Sequence, residues 1–253
     1  MSSEFSRELT PLEAGVADGV GTLADIGGKV LHPGGRRSTE QLFDMAQFEA
    51  GHNVLDAGCG VGTTAIEIAK RFGCQVTAID ISPKLVRHAQ KNVRNAGVED
   101  RVTVEQGDLV HLHYADETFD RVTIEAVSAF VDRPKALKEV ARVLKPGGFI
   151  LDHEGFFKQE PPPEIREKIR GSAFDVPIDS LADWVKLYES AGFTEIETIT
   201  LDKPAGPFEQ GFMTFLKFLS LLLRRTDFRK NAMKQRAILP YASFMVLRGK
   251  KPT

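Results

Sequence analysis

Cysteine is almost missing from this chain, with Cys59 and Cys74 the two in 253 residues. Two thiols cannot build a disulfide framework, and these lack the paired CxxC spacing of a zinc site. Reducing cytosol is the default compartment for such a chain. A charge excess is missing as well, since 33 Lys and Arg stand against 35 Asp and Glu for a formal charge of −2. That balance argues against a general nucleic-acid binder, which needs surplus Lys and Arg to displace counterions from phosphates, although it leaves room for a local basic patch. Long apolar runs are absent too. The most apolar stretch, Phe212 to Leu223, is interrupted by Lys217 and falls short of the roughly 20 residues needed to cross a bilayer. The opening MSSEFSRELTPLEAG carries Glu4, Glu8 and Glu13 and no apolar run, so neither a signal nor a transit peptide fits.

What is present reads as one globular domain over 1–253 with an α/β rhythm. Short β-branched runs at 53–57, 75–79, 101–105, 119–125 and 148–153 alternate with amphipathic helical stretches. One helix, near 83–96, has Ser82 as its N-cap and Pro83 at its first position, and stops at Asn95-Ala96-Gly97. Another runs from Asp132 to Leu144 and ends at Lys145-Pro146-Gly147-Gly148. Pro161-Pro162-Pro163 then breaks the chain, a helix follows from about Ser180 to Ala191, and 194–201 and 241–249 read as two more strands. A helical cap over 1–50, a binding core over 51–155 and insertions at 156–180 and 203–240 that cover the substrate side complete the expected map.

The first strand runs into Gly58-Cys59-Gly60-Val61-Gly62 and then into a helix. Glycines there permit a tight turn and a close approach of ligand to main chain, at the partly positive end of the helix. Asp80 closes the next strand, where a carboxylate can accept from both hydroxyls of a ribose. A dinucleotide fold would space the glycines GxGxxG, whereas this chain has GxGxG. Asp56, two residues before the turn, would repel a pyrophosphate but attract an ammonium or sulfonium. The charge argument favours an aminoacyl nucleoside over NAD.

VLDAGCGVG (54–62), AIDIS (78–82), GDL (107–109), FDRV (119–122) and RVLKPGGFIL (142–151) resemble, in order and spacing, the successive motifs of class I S-adenosylmethionine-dependent methyltransferases. The small-molecule enzymes of the quinone, sterol and tocopherol type are the nearest in pattern. The resemblance implies a Rossmann-like seven-stranded sheet, mostly parallel with an antiparallel last strand, and helices on both faces. It implies S-adenosylmethionine as the cofactor and a small-molecule acceptor, with no metal. Asp56 and the backbone of Gly58, Cys59, Gly60 and Gly62 would hold the methionine part, and Asp80 the ribose. Ile81 would pack on the adenine, and from the Gly107-Asp108-Leu109 motif Asp108 would accept from the exocyclic amine, with Leu109 a neighbouring contact. A turn or cap acid is the plainer role for Asp108. A non-catalytic sensor keeping the same nucleoside site, and a nicotinamide-dependent oxidoreductase, are the rival readings.

Methyl transfer from a sulfonium is an in-line displacement, so positioning supplies much of the acceleration, and a base is needed only when the acceptor has a proton to lose. Glu125 closes the fourth strand in IEA, a sequence similar to that of sterol methyltransferases; it could address the acceptor, hold the adenosyl sugar or cap a turn. The histidine that follows in that family is Ala129 here. His153 and Glu154, just past the fifth strand, read either as acceptor-orienting or proton-accepting groups or as an ordinary polar loop pair. His32 in the His32-Pro33-Gly34-Gly35 turn is a further acceptor-site candidate, with Ser38 or Thr39 opening the helix after it. His111 and His113 lack a third ligand and read as solvated. An apolar stripe of Phe212, Phe215, Phe218, Leu219 and Leu222 precedes a basic run to Arg236. The stripe reads as a core face, a lid over an apolar acceptor, or a dimer or membrane-surface contact across 212–236.

Overall fold

The computed structural model describes residues 10, 14–15, 21, 24–25, 35–169, 179–201 and 240–253. Its elements run α1 (Gly35–Ala46), β1 (Asn53–Ala57), α2 (Thr63–Phe72), β2 (Gln75–Asp80), α3 (Pro83–Ala96) and β3 (Val102–Gln106). There follow β4 (Phe119–Glu125), a 3-10 turn (Ser128–Phe130), α4 (Arg133–Val143), β5 (Leu144–Phe157), α5 (Pro163–Ile169), α6 (Leu181–Ser190), β6 (Thr194–Thr200) and β7 (Ala242–Lys250).

The seven strands form one sheet in the order β3-β2-β1-β4-β5-β7-β6. β1 through β5 pair in parallel, and β7 runs antiparallel between β5 and β6. This is the seven-stranded, mostly parallel sheet the motifs imply. The order reverses direction at β1 and β4, and the crevice beyond the C-terminal ends of strands at such a reversal is where ligands of open α/β sheets sit. Asp56 is the penultimate residue of β1, and Glu125 closes β4.

Strand side chains alternate between two faces, and both faces are apolar because both are covered. On one, Leu55, Val122, Ile124, Ile150 and Leu247 pack against Leu137 and Val140 of α4 and Trp184 and Tyr188 of α6. On the other, Val54, Val76, Ala78, Leu151 and Val246 pack against Leu42 of α1, Ile68 of α2 and Val93 of α3.

The helix signals act as chemistry requires. The Ser82 hydroxyl accepts from the Leu85 amide, and Gly97 closes α3 in the left-handed region. Asp132 caps α4 through the Lys135 amide. Three boundaries differ from the pattern by more than a residue. β5 starts at Leu144, which pairs with Phe119 before a bulge; pairing resumes at Phe149 with Arg121. Gly147 takes φ +75 there, and a Cβ on Gly148 would lie 2.9 Å from the Asp120 and Lys145 carbonyl oxygens, so the glycines serve the bulge and not only the helix stop. At its far end β5 runs to Phe157, because β7 pairs with it from Phe149↔Lys250 to Phe157↔Ala242. α1 opens at Gly35, so Ser38 and Thr39 lie inside the helix and are buried. α5, after the prolines, carried no signal singled out in the sequence. His32, the 203–240 insertion up to residue 239, and the 212–236 stripe fall outside the described residues. Among the described residues no helix is long and apolar enough to cross a membrane.

α6 begins with a capping box: the Ser180 hydroxyl accepts from the Asp183 amide at 3.2 Å, and the Ser180 amide donates to the Asp183 carboxylate at 3.3 Å. This helix delivers Trp184 and Tyr188 to the core. Ser180→Ala should therefore cost about 1 kcal/mol of stability in urea denaturation, with the m-value unchanged.

Candidate functional site

The turn from β1 into α2 is built by left-handed glycines, Gly58 at φ +81, Gly60 at +56 and Gly62 at +79. A Cβ on Gly58 would stand 2.3 Å from Val127 Cγ2, so the residue also allows close contact with the segment leaving β4. The Gly58 and Cys59 amides both donate to the Ile79 carbonyl, at 2.8 and 2.9 Å, tying the loop to β2. Asn92 of α3 donates from Nδ2 to the Val61 carbonyl at 2.9 Å.

Asp80 is buried at the end of β2. Its Oδ2 accepts from the Gly60 amide and its Oδ1 from the Ser82 amide, each at 2.9 Å. The carboxylate thus faces the glycine loop, and each oxygen keeps a second lone pair for a ligand hydroxyl. Burial pushes its pKa up to about 6, against the pull of those two amides.

Asp56 is 3% exposed. Its Oδ1 accepts from Thr123 Oγ1 at 3.1 Å, and its Oδ2 has no hydrogen-bond partner. Glu125, half-buried, accepts from Thr39 Oγ1 of α1 at 3.0 Å and from Thr64 Oγ1 of α2 at 2.6 Å. Burial first, and then the Glu125 charge, push Asp56 up to about 7, while the Thr123 hydroxyl and the Ala65 amide pull it back. Two carboxylates in a partly dry corner, one oxygen bare, make a place for a cation.

The remaining predicted positions follow the ends of β2 and β3. Ile81 is half-buried and its carbonyl accepts from Gln106 Nε2. The Gly107 amide donates to the Asp80 carbonyl, and a Cβ there would press Ile79 at 3.1 Å. Asp108 is buried, with Oδ1 accepting from the Val110 amide at 3.1 Å, and Leu109 packs in the core with Ile79 and Leu112. Cys59 is a poor nucleophile, because burial and the Asp56 and Asp80 charges hold its thiol well above the usual range.

His153 and Glu154 do not form a pair. As neighbours on β5 they leave opposite faces of the sheet: His153 is buried beside Phe244, and Glu154 is buried on the α4–α6 side. His111 and His113 stack edge to face, 4.7 Å apart, and among the described residues no three His, Cys, Asp or Glu side chains converge on a metal position. Thr39, Thr64 and Thr123 were not singled out from the sequence. Thr123 had a signal, a polar residue at an inward position of a buried strand in register with Asp56; the other two depend on helix docking.

A Methyltransferase domain family matches residues 54–148. The uncharacterized methyltransferase YodH of Bacillus subtilis is 31% identical over 170 residues, covering 67% of this chain and 72% of that protein. The 27-O-demethylrifamycin SV methyltransferase of Amycolatopsis mediterranei is 41% identical over 113 residues, covering 44% of this chain and 42% of that protein. Among solved structures, phosphoethanolamine N-methyltransferase 2 of Haemonchus contortus in complex with S-adenosyl-L-methionine superposes with a TM-score of 0.73 at 18% identity, covering 95% of this chain and 57% of that one.

Gly58→Ala should lose at least about 2 kcal/mol of stability, from the left-handed backbone and the Val127 collision together. Adding Val127→Ala should recover the collision part and leave the backbone part, a partial rescue read by urea denaturation. A second outcome concerns pH. Asp56 and Asp80 have folded pKa values of about 7 and about 6, above the unfolded value of 3.8. Raised acids bind protons more tightly folded than unfolded, so their contribution to stability falls as pH rises from 4 through 7 and is flat above that. The ligand-free protein should be more stable at pH 5.5 than at pH 7.5, each group contributing a slope of at most about 1.4 kcal/mol per pH unit; Asp56→Asn should flatten that slope.

Proposed function

The chain belongs to the class I S-adenosylmethionine-dependent methyltransferases, and from that premise we propose that it methylates a small, partly apolar acceptor. One observation carries the reading of the site: the buried Asp56 carboxylate, with a bare oxygen and Glu125 as neighbour, at the mouth of a glycine loop. A pyrophosphate would meet those two like charges, whereas a ligand bearing an ammonium and a sulfonium relieves them. The residues present therefore fit S-adenosylmethionine, which supplies an electrophilic methyl group when bound.

The chain's own part is binding and orientation. Asp56 holds the amino-acid portion with the backbone of residues 58–62, and Glu125 adds negative charge at the rim. Asp80 accepts from the ribose hydroxyls, Ile81 and Leu109 line the base, and Asp108 accepts from its amine. The apolar side of the acceptor is supported by the stripe at 212–222 in the sequence. The names of two similar proteins give 27-O-demethylrifamycin SV and phosphoethanolamine as what they methylate, and a small acceptor with a hydroxyl or an amine is in keeping with the reading proposed for this chain.

Calorimetric titration with S-adenosylhomocysteine, the demethylated cofactor, tests the reading, and no binding up to millimolar concentration would reject it. Asp80→Ala should weaken that binding roughly ten- to a hundredfold, the worth of one charged hydrogen-bonding partner. Single-turnover transfer of labelled methyl from the cofactor into a small-molecule extract separates an enzyme from a sensor that merely binds.

A further inference from the structure

The sheet face opposite Asp56 and Glu125 buries a second polar set. Asp152 and Glu154, two residues apart on β5, share that face and are 1% and 3% exposed. Asp152 Oδ2 accepts from Ser128 Oγ at 2.7 Å and from the Tyr188 hydroxyl of α6, while Oδ1 has no hydrogen-bond partner. Glu154 Oε1 accepts from the Ala129 amide at 3.3 Å, and the His153 carbonyl accepts from the Ala126 amide at 2.9 Å. Three consecutive residues of β5 thus hold the segment that leaves β4, at Ala126, Ser128 and Ala129.

That segment is under tension and is in contact with the cofactor loop. Ala126 takes φ +59, unfavourable for a residue with a Cβ. Val127, between the pinned positions, presses its Cγ2 on Gly58 so closely that the loop tolerates no Cβ there. Val127 directly precedes Ser128, so the place where Asp152 holds Ser128 bears on how Val127 meets the turn that is to receive the methionine portion. A passive wall would be served as well by apolar residues, because a buried carboxylate is costly and its bare oxygen brings no compensation.

Resting on the methyltransferase reading, we propose that Asp152, acting through Ser128, is a positioning residue that sets how far residues 126–130 stand from the glycine loop and so tunes cofactor affinity from the other face of the sheet. Burial pushes the Asp152 carboxyl up to about 6 despite the hydroxyls of Tyr188 and Ser128 and the charge of Arg133. Burial and the Asp152 charge hold Glu154 well above the ordinary carboxylate range. Of the surrounding groups, Arg133 is paired with Asp179 and lies over the Trp184 ring.

The test is S-adenosylhomocysteine affinity by calorimetry in Ser128→Ala, Ser128→Thr, Asp152→Asn and Val127→Ala. Ser128→Ala and Asp152→Asn should each weaken binding about tenfold, the size of one hydrogen bond to a charged group, and Ser128→Thr should restore it to within about threefold. If the effect passes through Val127, the Val127→Ala, Ser128→Ala double variant should bind no more weakly than the weaker single, a non-additivity that general loosening of the fold would not produce. Wild-type binding with both Ser128→Ala and Asp152→Asn within twofold, or strictly additive losses, overturns the proposal alone. Failure of the wild type to bind removes the methyltransferase reading as well. If Ser128→Ala does not fold, Asp152→Asn, which preserves shape, decides the matter.

Discussion

Two like charges meet at the point where the sheet changes direction, and the neighbouring polar contacts can be understood as ways of tolerating them. Asp56 lies on β1 and Glu125 on β4, next to each other in the sheet order, so their proximity is set by strand register and not by loop conformation. Three threonines from three elements satisfy most of their oxygens without neutralising either. A protein that only needed a stable core would place apolar residues here. Retaining a repulsive pair leaves this corner electrostatically incomplete, which on the proposed reading favours a positively charged guest.

Asp80 follows a different logic. It is equally buried, but both its oxygens already receive main-chain amides, so its charge is solvated by the loop itself. A ligand hydroxyl adds to an existing shell there instead of creating one. On the proposed reading the two acids divide the work: Asp56, with an oxygen left unsatisfied, would attract the ligand, and Asp80, already satisfied, would orient it. Their placement at the ends of adjacent strands makes the division available to a single extended ligand.

Much of this could be read along the chain. Strands with β-branched runs, Ser82-Pro83 and Asp132 before helices, and the spacing of GxGxG and Asp80 each name a local structure that elementary sterics enforces. What could not be read has a common cause, namely docking between distant elements. Thr39 matters because α1 lies over β4, a fact no local pattern carries. His153 and Glu154 look like a pair in one dimension, yet strand alternation sends them to opposite faces once residues 154–157 join β5. The reach of β5 to Phe157 depends in turn on β7, which arrives some ninety residues later. Asp152 carries no signal of its own in the sequence, because an acid inside an apolar strand resembles a strand end until Ser128 and Tyr188 close around it.

Besides its apolar packing, α1 is held by two arginines that clasp carbonyls at its C-terminal end and just beyond. Arg121 of β4 donates to Ala46 at 2.6 Å and to Gln47 at 3.0 Å, and Arg248 of β7 donates to Met45 at 3.3 Å. Both guanidinium groups lie against the Phe149 ring, 4.6 and 4.7 Å from its centre. Met45 and Arg248 are 203 positions apart. During synthesis, a growing polypeptide could complete the glycine loop and all five parallel strands and still lack half of the clasp that seats the helix bearing Thr39. The clasp on the end of α1, the helix that carries the Thr39 contact to Glu125, is therefore complete only once β7 has been made.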